Sequence, residues 1–239
     1  MRRGYVAKGL AQDKARLAVF DFDGTVIDGQ SGKLISTYLF RKGQVSPVRA
    51  ARLLWWGIRY KLHLPQKQSE ARELVFGALR GCDRETVDGI LRTFHSEVLR
   101  ERYRPKAIRE IARRKDEGCI ILLVSATFKA IAEAAAQTLG CDGAIATEME
   151  VDANGNYTGH VDGNVVEGEG KLAQVRAWAD EHLGKDAWTL ACAYGDHYSD
   201  ECLLEEAAEA YAVCPGPALK KRAKKKGWAI FDWDEKSLQ

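Results

Sequence analysis

Short apolar runs that stop at polar turns alternate with helical patterns along the chain. The runs cover residues 17–20, 119–124 and 188–194, and each ends at carboxylate, hydroxyl or glycine residues. Runs of this length predict buried strands. Helical patterns cover residues 130–139, after the second run, and residues 201–210, after the third run. A further helical pattern covers residues 171–183, after a Gly-rich turn. This alternation predicts an α/β fold, a Rossmann-like parallel sheet with helices on both faces.

The spacing of the first two predicted strands indicates an insertion. Roughly ninety residues separate them, far more than a strand crossover needs. Residues 31–112 are rich in Leu, Arg, Ala and Glu, without β-branched runs, so they predict a cap of four or five helices. The helix that begins at Pro105 returns the chain to the sheet. We therefore expect a core of residues 1–30 and 113–239 and a helical cap of residues 31–112.

Further extended segments complete the predicted core. Residues 149–159 contain two extended pieces around Asn154-Gly155, a dipeptide typical of a tight hairpin turn. Residues 211–213 and 229–231 are short strand candidates.

Composition and charge exclude several classes of protein. The chain is 46% hydrophobic and 29% charged, which is typical of a globular protein. Its 36 Lys and Arg residues nearly balance 34 Asp and Glu residues, so its overall charge gives no support for nucleic-acid binding. No run approaches the roughly 20 apolar residues that span a bilayer, and the N-terminus lacks the apolar part of a secretory signal. Six cysteines without a C-x-x-C pair fit reduced thiols, and we expect a cytoplasmic protein.

Two carboxylates, Asp21 and Asp23, follow the first predicted strand. Ligands of parallel sheets bind beyond the carboxyl ends of the strands, where Ser125 and Asp196 also fall. Such a carboxylate pair is able to hold Mg²⁺ with a phosphate ligand, and one of the two is able to attack an electrophile. A plain turn is the alternative. A calcium loop of the EF-hand type is excluded because the chain has Gly32 where that loop needs a carboxylate.

Four more polar residues have both a chemical and an ordinary interpretation. Ser125, expected in a turn at the head of a helix, fits an anion site or a simple helix cap. Lys171 begins a helix, where the macrodipole disfavours a cation, so it fits neutralisation of a phosphate or an exposed surface position. Asp196 and Asp200 lie four residues apart and fit a metal ligand with its supporting carboxylate, or two caps.

The motifs together resemble one family. Asp21-Phe-Asp-Gly-Thr25, Val124-Ser-Ala126, Lys171 and Gly195-Asp-His-Tyr-Ser-Asp200 occur in the order typical of the haloacid-dehalogenase-like (HAD) hydrolases. The predicted helical insertion is similar to the C1-type cap of subfamily IB, the phosphoserine-phosphatase-like branch. The resemblance covers the core, whereas the cap is similar only in kind.

The resemblance implies a phosphatase that forms an aspartyl-phosphate. Asp21 would attack phosphorus, and Asp23 would protonate the leaving alcohol and then activate water. Ser125 and Lys171 would hold the phosphoryl oxygens. These four are the expected catalytic residues.

The resemblance also implies Mg²⁺ as the cofactor. Asp21, Asp196 and the carbonyl of Asp23 would bind the ion, with Asp200 in support. His197 stands where a small residue is expected, and it fits a group beside the substrate or an exposed side chain.

The expected substrate is a small organic phosphate ester. Gln30 stands where the phosphoserine phosphatases have a glutamate that binds an ammonium, so we expect L-phosphoserine to be a poor substrate. Arg72 and Arg80 are candidates for anion contacts in the cap, or solvated arginines. The alternatives are a phosphoserine phosphatase, a phosphatase of phospholipid head groups, and a phosphotransferase that passes the phosphoryl group to an alcohol.

Two segments bear on larger partners. Residues 53–64 are apolar and aromatic, which favours cap core over a lipid-facing surface. The basic run at residues 220–226 fits a solvated helix or an anionic surface equally well. A peripheral membrane contact, and a catalytically idle protein that binds through this run, therefore remain alternatives, and intact Asp21 and Lys171 argue against the idle protein.

Overall fold

Eight strands belong to the part of the chain that the computed structural model describes, residues 14–43 and 75–234 with positions 48, 51, 55 and 73. Six of them form one sheet: β1 (Ala15–Asp21), β2 (Ile120–Phe128), β3 (Gly143–Thr147), β6 (Trp188–Gly195), β7 (Glu209–Val213) and β8 (Ala229–Phe231). Their order is β3-β2-β1-β6-β7-β8, and every pair is parallel. The predicted parallel α/β fold is confirmed, with β1 near the middle of the sheet.

Seven α-helices have both of their ends within the described residues. They are α1 (Ser31–Arg41), α2 (Arg84–Phe94), α3 (Pro105–Asp116), α4 (Lys129–Leu139), α5 (Glu169–Leu183), α6 (Glu201–Glu206) and α7 (Pro217–Lys226). None of the described helices is long and apolar enough to cross a membrane. The helix expected over residues 201–210 ends at Glu206, because Glu209 and Ala210 pair with β6 as part of β7. This boundary prediction was wrong.

The two faces of the sheet carry separate hydrophobic clusters. In β1, Leu17 and Val19 belong to one cluster, whereas Ala18 and Phe20 belong to the other, as the two-residue period of a strand requires. Residues of α5, α6 and α7 cover the first cluster, and residues of α3 and α4 cover the second. The sheet therefore has helices on both faces, as expected.

The described part of the insertion between β1 and β2 packs on the second cluster. Ile35 of α1 and Leu91 of α2 are buried in the same cluster as Phe20 and Phe128 of the sheet. After α2 the chain continues as a short π-helix over His95–Leu99. The helical character expected for the insertion holds for these residues, while most of the apolar run at 53–64 lies outside the described residues; within it, Trp55 is exposed.

A hairpin of the core is hydrogen-bonded to the insertion. Strands β4 (Met149–Val151) and β5 (Tyr157–Val161) are antiparallel, as the Asn154-Gly155 turn predicts. The Gly81 N–H donates to the Tyr157 carbonyl at 2.8 Å, and the Tyr157 N–H donates to the Cys82 carbonyl at 3.0 Å. Backbone bonds therefore fix the segment that leads into α2 against the core.

The basic run near the C-terminus forms α7. Its Leu219 and Ala223 are buried, and Arg222 contacts Glu205 at 2.9 Å while Lys226 contacts the same glutamate at 2.7 Å. The other four lysines of the run are exposed. Two of its cations are thus paired with α6, as in an ordinary solvated helix.

Candidate active site

The carboxyl edge of the sheet brings the predicted motifs together. Asp21 is the last residue of β1, and Asp196 directly follows β6, the neighbour of β1 on one side. Ser125 lies in β2, the neighbour on the other side. Three separate segments of the sequence therefore meet around the end of one central strand.

A buried lysine links two of the carboxylates. The Lys171 ammonium donates to Asp21 Oδ1 at 2.5 Å and to Asp200 Oδ1 at 2.6 Å. Lys171 is only 3% exposed, in the first turn of α5. Burial alone lowers the pKa of this lysine, but Asp200 and Asp21 outweigh that effect and raise the pKa above its usual value. The interpretation of Lys171 as an exposed surface residue is wrong.

Three carboxylates face this one cation. Oxygens of Asp21, Asp196 and Asp200 all lie within 4.8 Å of one another. Burial, together with the charges of Asp200 and Asp196, raises the pKa of Asp21 despite the opposing effect of Lys171. Burial and the charge of Asp200 raise the pKa of Asp196 to about 7. Because oxygen ligands and excess negative charge are what Mg²⁺ prefers, this donor set fits a divalent cation.

Two glycines make room for these carboxylates. A Cβ atom on Gly24 would overlap the carboxylate of Asp196, and Gly24 also has a φ of +79°. A Cβ atom on Gly195 would lie 2.7 Å from both Cβ and Oδ2 of Asp200. The close approach of backbone and carboxylate therefore depends on glycine at both positions.

Asp23 is held by the insertion. Its Oδ1 accepts the Ser31 N–H at 2.7 Å, and its Oδ2 accepts the Ser31 hydroxyl at 2.8 Å. The Ser31 hydroxyl also lies 2.7 Å from the Thr127 hydroxyl. On the other side of the motif, the Thr25 hydroxyl donates to Asp21 Oδ2 at 3.3 Å. Both carboxylates of the motif are thus oriented by hydroxyl groups.

Ser125 differs from its expected setting. Strand β2 continues to Phe128, with an irregular register between Ser125 and Phe128, so Ser125 lies within the strand and not in a turn at the head of α4. Its hydroxyl accepts the Thr127 N–H at 3.1 Å, and its side chain is buried. The helix-cap interpretation is therefore wrong, because α4 begins only at Lys129.

The expected substrate-binding residues are less closely gathered. Gln30 is exposed at the N-cap of α1, directly before Ser31, and its side chain makes no capping bond. Arg80 is exposed beside Gly159 of the β4–β5 hairpin. Arg72 lies outside the described residues. The backbone N–H of His197 donates to Asp200 Oδ2 at 3.2 Å, and its ring contacts the Ser199 hydroxyl at 3.0 Å.

Sequence reasoning missed Ser31 and Thr127. Ser31 was only the first residue of the predicted cap, and Thr127 was part of a presumed turn. Hydroxyl residues are common at both kinds of position, so the sequence held no signal that separates these two from ordinary caps.

One family model and two known proteins are similar to this chain in sequence. The sequence model of the haloacid dehalogenase-like hydrolase family matches residues 18–205, which include Asp21, Lys171 and Asp200. A histidinol-phosphatase of Neisseria meningitidis is 25% identical over 218 residues, covering 91% of this chain and 98% of that protein. A phosphoserine phosphatase of Mycobacterium tuberculosis is 24% identical over 225 residues, covering 92% of this chain and 72% of that protein.

A solved structure shares the fold of this chain. A Bordetella pertussis protein of unknown function superposes with a TM-score of 0.82 at 27% identity, covering 92% of this chain and all of that one. The chain therefore belongs to the haloacid dehalogenase-like hydrolases, and within them to the phosphoserine-phosphatase-like branch of phosphomonoester hydrolases.

Proposed function

We propose that this enzyme hydrolyses a small organic phosphate monoester through an aspartyl-phosphate intermediate, with Mg²⁺ as its cofactor. The observation that carries the proposal is the bridge from the Lys171 ammonium to Asp21 and Asp200 at the carboxyl edge of the sheet. A buried carboxylate held beside a buried cation suits nucleophilic attack on a phosphate, because the cation offsets the negative charge that the two reactants bring together.

The reaction has two steps in this proposal. In the first, a carboxylate oxygen of Asp21 bonds to phosphorus and the ester P–O bond breaks, while Asp23 gives its proton to the departing alcohol oxygen. In the second, Asp23 takes a proton from water, the water oxygen bonds to phosphorus, and the bond to Asp21 breaks. Inorganic phosphate leaves, and both aspartates return to their starting states.

The remaining residues of the site position the phosphoryl group. Ser125 and Lys171 donate hydrogen bonds to its oxygens in this proposal, which orients phosphorus toward Asp21. Asp21, Asp196 and the Asp23 carbonyl would hold Mg²⁺, with Asp200 in support. When bound, the ion supplies charge that neutralises the phosphoryl oxygens.

Residues 31–112 serve as the cap in this proposal, and the core comprises residues 1–30 and 113–239. The cap excludes water and contacts the alcohol part of the substrate, so it sets specificity. Gln30, directly before the cap, offers an uncharged amide where an ammonium-binding site would need a carboxylate. Arg72 and Arg80 remain candidates for contacts to an anionic group.

The first experiment tests the reaction with p-nitrophenyl phosphate. Purified protein should turn over this ester with Mg²⁺, lose activity after chelation, regain it with added Mg²⁺, and be inhibited by Ca²⁺, whose larger shell misplaces the reactants. Asp21→Asn should abolish turnover, and Asp23→Asn should slow it strongly, while Asp116→Asn, an exposed matched control, should change nothing. Full activity after exhaustive chelation, or an active and folded Asp21→Asn variant, contradicts the proposal.

The second experiment addresses the substrate. A panel of L-histidinol phosphate, L-phosphoserine, glycerol phosphate and a phosphorylated lipid head group is ranked by kcat/KM. The neutral Gln30 leads us to expect L-phosphoserine below the best ester. If L-phosphoserine exceeds every other ester by tenfold or more, our interpretation of Gln30 is wrong. Transfer of phosphate to added alcohols, in place of release, would favour a phosphotransferase.

A further inference from the structure

One residue of the insertion holds both oxygens of Asp23. The Ser31 N–H contacts Oδ1 at 2.7 Å and the Ser31 hydroxyl contacts Oδ2 at 2.8 Å. Two bonds from one residue to the two oxygens of a carboxylate fix its rotation as well as its position. Asp23 is thereby held in one orientation relative to Asp21.

This contact is also the N-terminal anchor of α1. Gln30 occupies the N-cap position, but its side chain makes no capping bond. The carboxylate of Asp23 accepts the N–H of Ser31, the first residue of the helix. A carboxylate at a helix N-terminus is electrostatically favourable. The first helix of the insertion and Asp23 therefore orient each other.

A second hydroxyl backs the first. Thr127, near the end of β2, lies 2.7 Å from the Ser31 hydroxyl, and both side chains are buried. Because the Ser31 proton is donated to Asp23, the Thr127 hydroxyl donates to Ser31. The chain Asp23–Ser31–Thr127 thus joins the loop after β1, the insertion and β2.

We propose that Ser31, backed by Thr127, is the positioning residue that aims Asp23 at the leaving-group oxygen of the substrate. The proposal rests on the function proposed above, in which Asp23 is the acid. Ser31 itself touches no reacting atom and acts only through the orientation of Asp23.

The leaving group makes this role measurable. A weakly basic leaving group such as p-nitrophenolate departs without a proton, whereas an alkoxide needs one as the ester bond breaks. The kcat/KM value covers the steps up to alcohol release, so it excludes hydrolysis of the aspartyl-phosphate. A misaimed acid therefore lowers kcat/KM for alkyl phosphates far more than for p-nitrophenyl phosphate.

The test compares these two substrates in matched variants. Ser31→Ala should lower kcat/KM about 30-fold for the best alkyl phosphate but less than about threefold for p-nitrophenyl phosphate, since misplacement by about 1 Å costs up to about 100-fold. Thr127→Val, which removes only the second hydroxyl, should give a smaller bias of the same sign, and Thr127→Ser should restore the wild-type ratio. Ser36→Ala is the control, because the Ser36 hydroxyl of the same helix bonds only the Gly32 carbonyl in the described contacts.

The outcomes separate this inference from the proposed function. Asp23→Asn serves as the reference and should show the largest bias against the alkyl phosphate. If Asp23→Asn is biased while folded Ser31→Ala and Thr127→Val lose activity equally on both substrates, the positioning role is wrong and the proposed function stands. If Asp23→Asn shows no bias, the acid assignment and the positioning role fail together. Should Ser31→Ala not fold, the Thr127 pair decides.

Discussion

Replacing Gly195 by alanine tests how closely the site is packed. The φ angle of Gly195 is not in the positive region, so alanine can adopt this backbone and the cost of the change is steric. The new Cβ would lie 2.7 Å from Cβ and Oδ2 of Asp200, whereas ordinary contacts begin at 3.4 Å. Asp200 must therefore move by about 0.7 Å, the difference between these distances.

That shift reaches the proposed nucleophile through two hydrogen bonds that share the Lys171 ammonium. Asp200 holds Lys171 at 2.6 Å, and Lys171 holds Asp21 at 2.5 Å. Overpacking of this kind lowers the free energy of unfolding by about 1–3 kcal/mol, which corresponds to roughly 2–12 °C in Tm for a domain of this size. Misplacement approaching 1 Å costs up to about 100-fold in rate, so we expect kcat to fall by roughly 10- to 100-fold.

The assay pairs this variant with Gly89→Ala. Gly89 lies in α2, and a Cβ atom there meets nothing within 4 Å, so this variant should keep full activity and gain slightly in Tm. Differential scanning calorimetry and p-nitrophenyl phosphate turnover supply the two readouts. If Gly195→Ala keeps its Tm and more than a third of wild-type kcat, Asp200 is not confined as the structure indicates, and the reasoning fails.

Three other substitutions have expected outcomes. Lys171→Met should reduce kcat at least about 1,000-fold because it removes the cation beside the proposed nucleophile; a kcat of a tenth of the wild-type value or more in steady-state kinetics would contradict this. Arg114→Met should lower the free energy of unfolding by about 3 kcal/mol, since this buried guanidinium bonds Tyr194 Oη at 2.7 Å and several acidic groups; an unchanged urea midpoint would refute it. Tyr157→Phe should lower the free energy of unfolding by about 1 kcal/mol, because it loses the hydrogen bond to Asp88, and the same urea titration measures this; a gain in stability would contradict the contact between hairpin and insertion.

The sequence predicts the core well where strands are aliphatic and long. The sequence pattern does not predict strand β3, because Gly143–Thr147 consists mostly of small residues, without the β-branched run that marks a buried strand. Its stability comes from parallel pairing with β2, a tertiary contact that no local pattern records. The helix over residues 201–210 was predicted too long for the same reason: Glu209 and Ala210 favour a helix locally, but pairing with β6 overrides that preference.

The candidate site likewise has some contacts that the sequence predicts and others that it does not. The meeting of Asp21, Ser125 and Asp196 follows from the topology, because strands of a parallel sheet end at one edge. The contact of Asp21 with Lys171, 150 positions later, is expected only from the resemblance to the family motifs. The chain of hydrogen bonds from Asp23 through Ser31 to Thr127 follows from no such rule. It depends on the path of the loop between β1 and α1. Packing sets that path, and the periodic pattern of a single sequence does not reveal it.

The charges of the site explain why metal and substrate are expected to bind together. Three carboxylates face one ammonium, and Lys171 is already shared between Asp21 and Asp200. A phosphate monoester brings two further negative charges, and each pair of like charges about 4 Å apart costs on the order of 4 kcal/mol at an effective dielectric constant of about 20. Lysine alone does not offset repulsion of this size, whereas a divalent cation held by Asp196 and Asp21 would. Chelation should therefore abolish substrate binding itself, and not only the chemical step.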